Sequence, residues 1–348
     1  MLETIFLRAG AFSRRIFPAL GLVVMTAASA AQPDAVRRLD IADYRAYLAD
    51  DHPVRQGMRK FAELAEAASG GSLQVKVRTD ALPGSPAQQI AALQAGAPGA
   101  PALMLVASTG LASQVQAFGL LDLPFLVRDE READALLDGA FGRALLARMG
   151  PSGLVGLAWW ENGFRQITTS GRPVRRAEDL DGLNFRVIGE PVFIETVRAM
   201  GANPIALPFG ELHAALKSGR VDAQDNVISQ ILAGRLHEVQ SSLSLTRHSY
   251  SPLVLVANAG VWNALPAAQQ GLLLAAAAEA GRVQREGARA EARAARTALA
   301  AHGLLVHQVA PRELARLRAL TAPIRERYFG HTTDDLRQLY QAETARLR

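Results

Sequence analysis

The chain has no cysteine among its 348 residues. That excludes disulfides, thiolate metal sites and cysteine nucleophiles, and it is compatible with an oxidising compartment. Lysine is nearly missing as well: only Lys60, Lys76 and Lys217 among the 38 Lys and Arg residues. Arginine is therefore the default cation. The net charge of +5 is weak and scattered, and no basic run interleaved with aromatics occurs, which excludes a nucleic-acid partner. The patterns G-x-S-x-G, G-x-x-x-x-G-K-[ST] and G-x-G-x-x-G are all absent. His237-Glu238 opens like a zinc-protease helix, but the position that needs a second histidine is Ser241, and the seven histidines lack metal-ligand spacing. Neither a metal nor a cofactor is expected, and these absences move weight from an enzyme toward a binding protein.

What is present begins at the N-terminus. Arg8, Arg14 and Arg15 precede an apolar run from Ile16 to Met25, followed by Ala28-Ser29-Ala30. Positive, apolar, then small-x-small is the plan of a secretory signal peptide. Residues 1–31 are assigned to it, with cleavage near Ala30. The general secretory route is expected, although Ser13-Arg14-Arg15-Ile16-Phe17 also resembles a twin-arginine signal. The apolar run is short for a bilayer span, and no later stretch is long and apolar enough. An exported, periplasmic protein follows.

Beyond that segment strands and helices alternate. Val54 to Ala68 has apolar residues at helical spacing and ends at Gly70-Gly71. Leu73 to Val77, Ala102 to Ala107 and Leu154 to Trp160 read as strands, with helices over Gln88–Gln94 and Arg131–Met149. This predicts an α/β fold with a mostly parallel sheet. The character changes at Glu161-Asn162-Gly163, where Phe164 to Thr169 enters a new unit as a separate strand. Leu243 to Thr246 and Leu253 to Ala257 read as two further strands, and Leu304 to Val309 as a last one. A long helix begins at Pro266 and reaches Ala301, its arginines (282, 285, 289, 293, 296) forming a solvated face with glutamates. Two helices, Pro311 to Tyr328 and Thr333 to Leu347, close the chain.

One stretch, Gly182 to Asn226, concentrates the chemistry. Arg186 lies inside an apolar strand, with Asn184, Arg186 and Ile188 on one side and Phe185 and Val187 on the other. A guanidinium keeps its proton, so burying one calls for a carboxylate or phosphate partner. The stretch ends on Gln224, Asp225 and Asn226. Trp159-Trp160 reads as core, and Glu178, Asp179 and Asp181 as a helix cap and solvated loop.

The ordered blocks FGLLDLPFL, WWENGFRQITTS, LNFRV, GANPIALPFGELHAAL, GRVDAQDN and SLSLTRHSYSPLVLVAN resemble the solute-binding proteins of TRAP transporters, the DctP type, over nearly the whole mature chain. The resemblance implies a two-lobed periplasmic binding protein fold, type II-like, with a long helix spanning both lobes. It places residues 36–162 and 252–291 in lobe I, and 163–251 and 292–348 in lobe II. It implies capture of a C4-dicarboxylate or related organic acid by hinge closure and delivery to the small and large membrane subunits of a permease, with a monomer favoured. Arg186 matches an arginine that grips the ligand carboxylate with two prongs, and Arg165 a second carboxylate or polar contact. Asn226, Phe209 and His248 match pocket-lining positions; Asp51 and His52 are secondary candidates from the first loop. The chain departs from the family at Asp225 and Val227, at Ser85 to Gln89, and at the GAPGAP turn. Two other readings use the same scaffold: a ligand-sensing module, or an enzyme, for which only His248 and Asp225 offer a base.

Overall fold

A computed structural model describes residues 36–45 and 48–347. The expected signal peptide lies outside the described residues. Among the described residues nine strands form one mixed sheet: β1 (Arg37–Asp43), β2 (Leu73–Val77), β3 (Leu103–Ala107), β4 (Leu154–Thr169), β5 (Asn184–Val187), β6 (Asn203–Ala206), β7 (Ala223–Val227), β8 (Ser242–Asn258) and β9 (Leu305–Gln308). The order is β2-β1-β3-β8-β4-β7-β5-β6, with β9 added alongside β8. The outer strands run parallel to their neighbours, whereas β8 is antiparallel to both β3 and β4, and β4 to β7. The sheet is thus mixed, not mostly parallel.

Two pairs of expected short strands are in fact two long ones. β4 continues through Glu161-Asn162-Gly163, and β8 through His248 to Pro252. The turn-like residues there make bulges instead of ending the strands: pairing shifts register between Glu161 and Gly163 and again between Arg165 and Ile167. Gly163 has φ +124°, which a side chain would strain. Through their first and last portions, β4 and β8 serve both ends of the sheet. The helix expected over 131–149 is two helices, Glu130–Asp138 and Ala140–Ala147. They break at Gly139, where a Cβ would sit 2.4 Å from the Ala135 carbonyl oxygen.

The helix Pro53–Ala68 has Pro53 at its first turn and is capped by His52, whose Nδ1 accepts from the Val54 amide at 3.1 Å. Its buried face (Val54, Met58, Phe61, Ala65) packs with Trp160 of β4 and with Ala276, Ala277 and Ala280 of the long helix Ala267–Ala301. Trp160 is fully buried and donates from its indole to the Ala277 carbonyl at 3.1 Å, so the tryptophans are core, as read. Gln284 of the long helix receives from the Glu161 amide and donates to the Glu161 carbonyl, both at 2.8 Å, completing the backbone pairing that the bulge breaks. The arginines of this helix are not one solvated face: Arg285 is buried and joins Asp134, Asp138 and the Trp159 carbonyl. The last helix, Asp334–Ala345, expected in lobe II, rests on residues 126–148. Tyr340 donates to the Leu126 carbonyl at 2.7 Å and Glu343 accepts from the Ala140 amide at 2.9 Å.

The contact of Trp160 with both helices depends on two small residues. A Cβ at Gly57 would lie 2.7 Å from the Trp160 ring and 2.8 Å from Gln284, and one at Gly281 would lie 2.8 Å from that ring. Gly57→Val is expected to destabilise the protein by about 1–3 kcal/mol through overpacking. Urea denaturation monitored by tryptophan fluorescence checks this; an unchanged midpoint would show that the helix does not sit this tightly on Trp160.

Candidate functional site

The parallel strands β5 and β7 pair with each other, β7 pairs in turn with the second half of β4, and polar side chains stand near the strand ends. Phe185 and Val187 of β5 fill the hydrophobic core, so alternation turns Arg186 to the other side. Its register partner is Gln224 of β7. Arg186 is only 3% exposed. Its Nε donates to the Leu207 carbonyl at 2.9 Å, and among the described residues no carboxylate pairs with it. Burial and the like charge of Arg165 push its pKa down to about 10, against the pull of Asp225. At neutral pH the guanidinium stays charged, and its two terminal nitrogens have no hydrogen-bond partner among the described residues.

Arg165 meets a different environment. Its Nε donates to Asp225 Oδ2 at 2.5 Å and Nη2 donates to the Asp225 carbonyl at 2.7 Å. The Phe193 ring lies 5.4 Å from the guanidinium carbon. Asp225 also meets His248 Nε2 at 3.2 Å, and His248 Nδ1 is 2.8 Å from Thr246 Oγ1. Burial alone would raise the Asp225 carboxyl; the charge of Arg165 and the hydrogen bonds from His248 and Arg165 override it and hold the group well below the ordinary carboxylate range. Asp225, expected only as a departure from the family beside Asn226 and as a possible base in the enzyme reading, is thus the centre of a buried trio. Its signal was there, a carboxylate in the same polar cluster as the expected ligand contact.

Asn226 pairs in register with Gln166 and Asp225 with Ile167, so these neighbours point to opposite sides of β7. Asn226 thereby shares its side with Gln224 and Arg186, not with the Arg165–Asp225 pair. Its Oδ1 accepts from the Val227 amide at 2.9 Å. Phe209 is the first residue of the helix Phe209–Lys217 and is half-buried in the cluster that includes Leu207 and Ile231. Asp51 is exposed, and its carbonyl accepts from Gln56. His52 meets Glu291 of the long helix at 3.5 Å. Burial, then Arg45, lowers the His52 pKa to about 4, while burial raises Glu291 to about 7. The structure therefore groups Arg186 with Asn226, groups Arg165 with Asp225 and His248, and sets His52 against Glu291.

The loop after β1 contributes groups that patterning did not single out. Arg45 is held by Asp43 through two hydrogen bonds of 2.9 Å and donates to Asn162 Oδ1 at 3.0 Å. Gln230 donates to the same oxygen at 3.3 Å and hydrogen-bonds Tyr44. Asp122, from the DLPF block, is buried; its Oδ1 accepts from Thr109 Oγ1 at 2.8 Å while Oδ2 has no partner among the described residues. Burial pushes its pKa up to about 7, moderated by Thr109 and by the charge of Arg165. The meeting of Arg45 and Gln230 on Asn162 is legible only after folding, because those partners lie far off in sequence.

Residues 45–331 match the family described as bacterial extracellular solute-binding protein, family 7, DctP. The 2,3-diketo-L-gulonate-binding periplasmic protein YiaO of Escherichia coli K12 is 36% identical over 228 residues, covering 66% of this chain and 69% of that protein. A TRAP periplasmic solute-binding protein from Ochrobactrum anthropi, solved with its C-terminus bound in the ligand-binding pocket, aligns at a TM-score of 0.83 and 34% identity, covering 90% of this chain and 96% of that one. The sugar acid binding protein DctPAm from Advenella mimigardefordensis, solved with galactonate, aligns at 0.79 and 32% identity, covering 89% and 99%. With a family model matched over residues 45–331 and an architecture that follows solved TRAP solute-binding proteins over most of its length, the chain belongs to the DctP family of TRAP periplasmic solute-binding proteins.

Proposed function

We propose that this protein binds an organic acid with one carboxylate and several hydroxyl or oxo groups, and hands it to the two membrane subunits of a TRAP permease in the periplasmic space. The observation that carries this reading is the unequal state of its two arginines. Arg165 is neutralised by Asp225, whereas Arg186 keeps two terminal nitrogens for a ligand. One free guanidinium offers one bidentate carboxylate contact, which fixes orientation as well as energy. A C4-dicarboxylate would have to displace Asp225 from Arg165 to engage both. The diketogulonate and galactonate bound by the two relatives named above each carry a single carboxylate, in keeping with one clamp. Asn226, Phe209 and the Thr109–Asp122 pair supply polar and aromatic groups for the rest of such a molecule.

The same geometry supports binding rather than turnover. His248 and Asp225, the two groups an enzyme would use here, are fixed to each other and to Arg165. Closure would turn on the bulges of β4 at Glu161-Gly163, joining residues 36–162 and 252–291 to residues 163–251 and 292–333, with the last helix counted with the first lobe because it rests there. Ligand binding would then select the closed arrangement.

A thermal-shift screen of sugar acids and C4-dicarboxylates identifies the acid, since a bound ligand raises apparent stability. Monocarboxylates should lead that screen; succinate or malate outranking them would overturn the single-clamp assignment. With the leading acid, Arg186→Ala should weaken binding by about 2–5 kcal/mol in calorimetry, the cost of leaving a buried carboxylate without its partner. Unchanged affinity would remove Arg186 from the site. Asp225→Asn strands Arg165 in the interior and should cost about 3–5 kcal/mol of stability. Because the folded Asp225 carboxyl is depressed, its contribution is present above the unfolded carboxylate range, near pH 4, and is lost as the pH falls below it. The variant should accordingly show a flatter acid limb in urea midpoints measured against pH, and an equally steep limb would assign the acid sensitivity to other groups.

A further inference from the structure

The long helix Ala267–Ala301 carries a graded series of arginines. Arg282 pairs with Glu279 and Glu286, Arg285 with Asp134 and Asp138, and Arg289 with Asp134 and Glu161. The series then changes: among the described residues neither Arg293 nor Arg296 has an ion pair or a hydrogen bond at its guanidinium. Residues 289, 293 and 296 are four and three apart, so they share one helix face. That face fronts a cleft of about 460 Å³ against the middle of β4 and β8.

Both carboxylates that line the cleft are already neutralised. Glu161 meets Arg289 at 2.7 Å, and Glu130 forms a two-pronged pair with Arg247 at 2.9 and 3.0 Å. Arg247 in turn lies 3.7 Å over the Phe164 ring. The two remaining guanidinium groups therefore leave the cleft with uncompensated positive charge. Its floor mixes apolar side chains (Phe164, Ile228, Leu245) with Gln166, Ser229 and Gln308. This composition and size suit an organic molecule rather than a bare ion. None of Arg165, Arg186, Phe209, Asn226 or His248 lines it.

We propose that this cleft is a second ligand site, selective for a small organic or condensed polyanion carrying two or more carboxylate or phosphate charges, with Arg293 and Arg296 as its charge partners. It stands apart from the Arg186 site and from the reading of that site given above. A molecule held here touches the long helix and both continuous strands at once, so its binding is linked to any rearrangement of those strands.

Calorimetry with citrate and with pyrophosphate, in buffers of matched ionic strength, tests the proposal on the full mature chain. Wild type and Arg186→Ala should each bind at least one of these probes saturably, one per chain, and the preferred probe reports carboxylate or phosphate selectivity. The double variant Arg293→Ala/Arg296→Ala should bind it at least tenfold more weakly while keeping its melting temperature, since both side chains are exposed. Absence of saturable binding by wild type, equal binding by the double variant, or loss of binding in Arg186→Ala would each overturn it.

Discussion

Burying two arginines near enough to repel each other poses an electrostatic problem, and the Arg165–Asp225 pair resolves it. Each guanidinium loses hydration on burial, and each repels the other. A single carboxylate between the strands cannot serve both equally well. Asp225 shares a side of β7 with Arg165 and engages it through its side chain and its own carbonyl. Arg186, on the other side, donates to the Leu207 carbonyl, its one hydrogen-bond partner among the described residues. The alternation of one short strand thus decides which cation is closed and which remains receptive. A one-residue slip of β7 would exchange Asp225 for Asn226 and reverse the roles.

That slip is resisted by neighbours that depend on the same register. Gln224 donates to Thr168 Oγ1 at 2.7 Å, and Thr168 hydrogen-bonds Gln240 at 2.8 Å, a buried chain that fixes β7 against β4. His248 from β8 holds Asp225 from the far side. The register of three strands therefore bears on a single carboxylate.

Much of this was legible before folding. Apolar alternation in NFRV placed Arg186 opposite Phe185 and Val187, and both of those residues are fully buried. The helix Pro53–Ala68 followed from its spacing and its glycine stop. Three features were not legible, for one physical reason each. Gly163 looked like a terminator because local propensity cannot distinguish a turn from a bulge whose missing pairing is supplied by Gln284, more than a hundred residues away. Asp225 looked subordinate because its meaning rests on Arg165 and His248, neither of them near it in sequence. Gly139 divides a helix whose apolar pattern is continuous, because steric fit to the Ala135 carbonyl is invisible to periodicity.

Arginine itself shows how far composition can mislead. In a chain with three lysines, the residue type alone says little about role, and a helix bearing five arginines invites one uniform explanation. The structure separates them by what each can reach. Arg282 exchanges contacts with glutamates of its own exposed face, which contribute little in water. Arg285 and Arg289 cross to Asp134, Asp138 and Glu161 and tie the helix to the continuous strand β4. Arg293 and Arg296 lie past the last acid that the helix 130–138 and β4 present to this face, so their charge is left for the cleft beside them. Arg165 and Arg186 differ in the same way: a guanidinium's function is set less by its burial than by whether the fold has already supplied its carboxylate.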